Sequence, residues 1–84
     1  MKKATTKDEL FLLKLYHQAL AKGDQFAEVD RYAIGRAIGQ NDRGVDTIAK
    51  HLAQANFVEK GEGSTVCLTH HGLQLVQQLL TERS

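Results

Sequence analysis

The apolar positions of the chain fall into four segments with helical spacing and a short stretch that alternates. Stepping along the first segment at about 100° per residue gathers Phe11, Leu12, Leu13, Leu15, Tyr16, Ala19 and Leu20 into one arc roughly 200° wide. This predicts a helix from about Lys7 to Lys22, ended by Gly23, which takes up the left-handed conformation that stops a helix. An arc that wide is about twice the stripe one core needs, so two buried faces are expected, one toward the domain and one toward a partner. Gln25 to Val29 alternates briefly and predicts a one-turn strand or an extended entry to the second helix.

Asp30 is placed to cap that second helix over about Arg31 to Ile38, because its carboxylate accepts the unpaired amide hydrogens of a first turn. Ala33, Ile34, Ala37 and Ile38 form its expected buried stripe. Gly39-Gln40 breaks that helix, and Asn41 caps a longer one running to about Ala55. Val45, Ile48, Ala49, Leu52 and Ala55 are its apolar positions, and Asn56 tolerates the positive φ that ends it. Phe57 to Lys60 reads as a strand, Gly61 to Ser64 as a tight turn, and Thr65 to Thr69 as the returning strand. Thr69 caps a last helix through about Leu80, with Leu73, Leu75, Val76, Leu79 and Leu80 in an arc of roughly 160°.

The predicted order is helix, extended piece, helix, tight turn, helix, β-hairpin, helix. That order predicts a mainly α fold with a small β-hairpin, in which a helix-turn-helix is followed at once by the hairpin. At 84 residues there is room for one core, and we expect a single domain over residues 7–84 behind a flexible basic arm at residues 1–6.

Composition narrows the function. The chain is 42% hydrophobic and 25% charged, with no proline, which is ordinary for a globular protein. Its one cysteine, Cys67, excludes an intramolecular disulfide and a multi-cysteine zinc site. No apolar run approaches the roughly 18–20 residues of a membrane span, and the basic start is not followed by an apolar signal core. A cytoplasmic protein that does not engage membranes is expected. There is no phosphate loop, nucleophile elbow or framed carboxylate pair, so neither an enzyme nor a cofactor is expected. Cys67, His70 and His71, with distant His17 and His51, do not make a metal site. Adjacent histidines at a helix start diverge, and no ligand-pair spacing is present. Cys67 lies on the face of its strand away from Val66 and Leu68, and reads as a small half-exposed side chain, not a redox sensor.

The segment Ala37-Ile38-Gly39-Gln40-Asn41-Asp42-Arg43-Gly44-Val45-Asp46-Thr47-Ile48-Ala49-Lys50-His51-Leu52 resembles the helix-turn-helix of winged-helix regulators. Ala53 to Lys60 resembles the exit from their recognition helix, with Asn56 where glycine is usual. Val66-Cys67-Leu68-Thr69-His70-His71-Gly72 resembles their second wing strand and its exit. Together, over about residues 30–80, the chain resembles the winged-helix domain of the multiple-antibiotic-resistance (MarR) type transcriptional regulators.

The resemblance implies that Asn41 to Ala55 is a recognition helix entering the major groove of double-stranded DNA with its first turns near base edges. Its outward positions are Asp42, Arg43, Asp46, Thr47, Lys50 and His51. Arg43 and Thr47 are candidates for base contact, since a guanidinium fork reads guanine and threonine hydrogen-bonds or touches a thymine methyl. Lys50 and Asn41 are candidates for phosphate contact, as is Lys60 near the hairpin turn. Lys2, Lys3 and Lys7 add a non-specific arm. The pattern departs from its relatives at Thr47, where a basic residue is common, at Gln40, usually apolar, and at Gly44. Gly44 costs a helix about 1 kcal/mol against alanine, and either lets another backbone or a phosphate come close or leaves the helix start loose.

Charge supports a second reading. Residues 1–22 carry five lysines against two acids, a net of +3, whereas residues 23–66 carry five basic against seven acidic groups, a net of −2. DNA-binding faces are normally basic, and the hairpin sets Glu59 and Glu62 against Lys60. A winged-helix module that binds protein and not DNA is therefore the alternative. In either case the wide apolar arcs predict a homodimer, with Leu12, Leu15, Leu75, Leu79 and Leu80 as the expected contact and a near-palindromic site if DNA is bound.

Overall fold

A computed structural model describes residues 6–83. The elements are α1 (Lys7–Ala21), β1 (Val29–Asp30), α2 (Arg31–Ile38), α3 (Asp42–Gln54), β2 (Val58–Lys60), β3 (Thr65–Leu68) and α4 (His70–Arg83). The three strands form one antiparallel sheet in the order β1-β3-β2. This is a mostly helical, winged helix-turn-helix topology. The expected basic arm at residues 1–6, apart from Thr6, lies outside the described residues.

Each helix begins where a side chain can accept its first amides. Thr6 and Glu9 form a reciprocal capping box on α1, with Glu9 N donating to Thr6 Oγ1 at 3.1 Å and Thr6 N donating to Glu9 Oε1 at 2.9 Å. Asp30 accepts from Tyr32 N at 3.1 Å, Asn41 from Gly44 N at 2.8 Å and Thr69 from Gly72 N at 3.0 Å. Gly39, at φ 77°, turns the chain between α2 and α3, and Asn56, at φ 65°, turns it out of α3 toward β2.

The brief alternation before Asp30 becomes strand only at its end. Val29 pairs with Val66 and Asp30 with Thr65, while Val58, Glu59 and Lys60 pair with Leu68, Cys67 and Val66. Strand alternation puts Val58, Val66, Leu68 and Val29 against the helices, and all four are buried. Cys67 and Glu59 share the outer face.

The core joins Phe11, Leu12, Leu15, Ile34, Val45, Val58, Val66 and Val76, the largest fully buried side chains. This corrects the expectation drawn from the wide arc of α1. That helix is the central one, packed by α2, α3 and α4 and by the sheet, so the fold itself uses the extra width. Leu12 and Leu15 are 0% exposed and have no surface left for a partner. Leu79 is nearly covered at 8%, whereas Leu75 and Leu80 stay half-buried. Among the described residues, the large apolar side chains that remain exposed are Leu10 and Leu20.

The buried stripe of α2 also differs from expectation. Ala37 is exposed, and the buried residues are Ile34 and Gly35, the latter set directly against Val45 of α3. A methyl group on Gly35 would run into Val45 Cγ2, so the helix-turn-helix crossing is closer than a stripe of alanines would permit.

Candidate nucleic-acid interface on α3

On α3, Val45, Ile48, Ala49 and Leu52 are buried, and Asp42, Arg43, Asp46, Thr47, Lys50 and His51 are exposed, as the spacing predicts. One helix face therefore carries Arg43, Thr47 and Lys50 together. Thr47 Oγ1 donates to Arg43 O at 3.2 Å, which occupies its proton and leaves the hydroxyl oxygen's lone pairs and the methyl group. The Asn41 side-chain oxygen is taken by the cap on Gly44 N, so its amide NH₂ is what faces outward chemistry. Gly44 itself is explained by its neighbours: a Cβ there would sit 2.9 Å from Gln40 Oε1 and 3.3 Å from Asn41 Oδ1. The close neighbours are the Asn41 cap and the Gln40 side chain, not another backbone, and the cap bonds the helix start.

Sequence reasoning missed the partners of Asp46. Arg31 Nε donates to Asp46 Oδ1 at 3.1 Å, Tyr32 Oη donates to the same oxygen at 2.7 Å, and Arg31 Nη2 donates to Tyr32 Oη at 3.0 Å. The Arg31 guanidinium also lies 4.7 Å from the Tyr32 ring centroid. The hydrogen bond from Tyr32, then that from Arg31, hold the Asp46 carboxyl below the usual carboxylate range, with the Lys60 charge adding to the effect. The same bond to Asp46 raises the Tyr32 phenol and keeps its proton in place. These three side chains bind the start of α2 to the second turn of α3. The only signal in the sequence was that Asp46 lies about one helical turn beyond the capped start of α3; nothing local pointed to Arg31.

Lys60 is brought to this face as well. Alternation along β2 turns it to the side opposite Glu59, and its charge acts on Asp46. Arg31, Arg43, Lys50 and Lys60 are therefore the cations associated with α3, against Asp42 and a satisfied Asp46.

The hairpin is acidic in structure as in sequence. Glu28 Oε1 accepts from Thr65 Oγ1 at 2.9 Å and from Glu62 N at 3.4 Å, tying the loop before β1 to the hairpin tip. Asp30 accepts from Ser64 Oγ at 2.9 Å, and that bond, with the Tyr32 amide, lowers its pKa. On the outer face, burial and then the Glu59 and Glu28 charges push the Cys67 thiol up. A redox-sensing cysteine needs the reverse.

His70 and His71 diverge onto different rings, His70 tilted on Phe26 at 5.0 Å and His71 stacked on Phe57 at 4.6 Å. Among the described residues no group of three or more His, Cys, Asp or Glu is placed to hold a metal ion. None of their helices is long and apolar enough to cross a membrane. Comparisons with protein-family models, curated proteins and solved structures give no match, so the winged-helix assignment stands on topology and the functional reading on this face.

Proposed function

We propose that the chain is a DNA-binding regulator of transcription of the MarR-like kind, non-catalytic and acting in the cytoplasm, that reads the major groove with α3. One observation carries the reading. Asp46, in the middle of the outward face of α3, has its carboxylate engaged by Tyr32 and Arg31, so the acid that most opposes a phosphate backbone is already compensated. Arg43 and Thr47 then face the base edges, while Lys50, Lys60 and the Asn41 amide face phosphates.

The regulator acts as a homodimer, and we place the two-fold contact on the surface of α1 that the core leaves open. Leu10 is 39% and Leu20 45% exposed. With Leu13 and His17 they follow one another at steps of three, four and three residues, the spacing of a helix–helix seam. A groove of about 190 Å³ lined by Leu10, Leu13, Lys14, His17, Ile38 and Leu80 runs beside it. Leu75 and Leu80 remain candidates for this contact; Leu12 and Leu15 do not.

The gathering of Glu28, Glu59 and Glu62 around the hairpin favours a second reading, a module that binds a protein partner instead of DNA. Selection from a random duplex library at about 50 and then about 200 mM salt, with R43A/K50A as control, separates the two. Enrichment of a near-palindromic site that survives the higher salt and is lost in the variant is the expected result. A folded protein that retains no duplex at either salt would overturn the DNA reading and leave the second.

A further inference from the structure

A second concavity among the described residues lies on the outer side of the hairpin, apart from the outward face of α3. It is an open concavity of about 620 Å³ whose lining includes Phe26, Glu59, Cys67, Thr69, His70 and His71. That volume falls within the range of small-molecule sites. We propose that it binds a small organic cation, an amine with an aromatic or apolar body, independently of whether α3 binds DNA.

The walls define the ligand. Phe26 and His70 meet at 5.0 Å with their rings tilted by 56°, which gives a fixed aromatic wall. The neighbouring His71 stacks flat on Phe57 at 4.6 Å. Cys67, on the outer face of β3, supplies a weakly polar floor, since burial and the neighbouring carboxylates keep its thiol protonated. Glu59 is the charged group of the lining, and it is exposed with no ion-pair partner among the described residues. Its neighbour Lys60 cannot neutralise it, because strand alternation sends Lys60 to the α3 side.

Glu28 adds a second carboxylate whose field reaches the same face, since it acts on the Cys67 thiol. A cation beside Glu59 and against the Phe26 ring would gain ion pairing and cation–π attraction together. The start of α4 also borders the cavity and favours the opposite charge, which makes a carboxylate isostere the decisive control.

The experiment titrates the protein at pH 8 with 2-phenylethylamine, 2-phenylethanol and 3-phenylpropionate, tracking the backbone amide resonances of Cys67, Thr69 and His70. The amine is expected to bind at least about fivefold more tightly than either isostere. E59Q, an exposed strand position whose folding the amide spectrum verifies, is expected to bring the amine down to the affinity of phenylethanol. Absence of shifts at those amides, equal or tighter binding of phenylpropionate, or an amine affinity unchanged in E59Q would each overturn the proposal.

Discussion

Arg31 and Asp46, fifteen residues apart, are joined at 3.1 Å in the ion pair that ties the first residue of α2 to the outward face of α3. With Tyr32 bonded to both, this contact sets the charge of α3 as much as its angle. If α3 approaches DNA, D46N removes a negative charge from that face and releases Arg31. Duplex affinity at about 100 mM salt is expected to rise about two- to fivefold, measured by fluorescence anisotropy on a mixed-sequence duplex. Unchanged or weaker binding would mean that the α3 face does not meet phosphates.

Gly35 against Val45 fixes how closely the two helices of the turn can pack. Alanine is the better helix former by about 1 kcal/mol, yet G35A is expected to destabilise the domain by about 1–3 kcal/mol through overpacking. Urea denaturation monitored by circular dichroism measures the difference. A stabilised variant would show that the crossing has room to spare.

Two depressed carboxyls and one raised phenol bracket the pH range of full stability. The folded-state pKa values of Asp30 and Asp46 are lowered, so their contribution is complete above the ordinary value near about 4 and is lost as pH falls through the depressed values. Tyr32 is raised, so its contribution is complete below about pH 10 and is lost above it. Thermal melts are therefore expected to hold level from about pH 5 to 9. The difference in Tm between the wild type and D46N should close toward pH 2; a gap that persists there would show that Asp46 acts by shape and not by charge.

The α1 seam separates assembly from folding. L20E changes a side chain that is 45% exposed and is expected to convert a dimer to a monomer with little change in Tm, read by light scattering on a sizing column. L12A, at a position 0% exposed, is instead expected to cost about 2–5 kcal/mol of stability. A monomeric wild type would remove the homodimer from the functional proposal.

The order of elements, their caps and the outward face of α3 were legible in the sequence because each depends on local chemistry. Asp30, Asn41 and Thr69 cap the helices next to them, and the spacing of Val45, Ile48 and Leu52 dictates which side of α3 is buried. What the sequence hid depends on neighbours brought together by folding. The arc of α1 looked too wide for one core because pattern alone does not reveal that three helices and the sheet pack around it. Likewise the charge count over residues 23–66 treated Asp46 as an open acid, since its pairing with Arg31 is tertiary. The role of Gly35 is invisible in the sequence, because a glycine in a helix shows its use only when the opposite surface, here Val45, is known.

Placing β3 between β1 and β2 leaves the sheet with two edges, one of two residues and one of three. Edges that short offer another chain too few unpaired amides and carbonyls to build on, and the exposed Glu59 and Lys60 put charge on the longer of them. The arrangement protects the domain from edge-to-edge growth into fibrils at high concentration. Any extension of the hairpin with uncharged β-formers would carry the corresponding risk of aggregation.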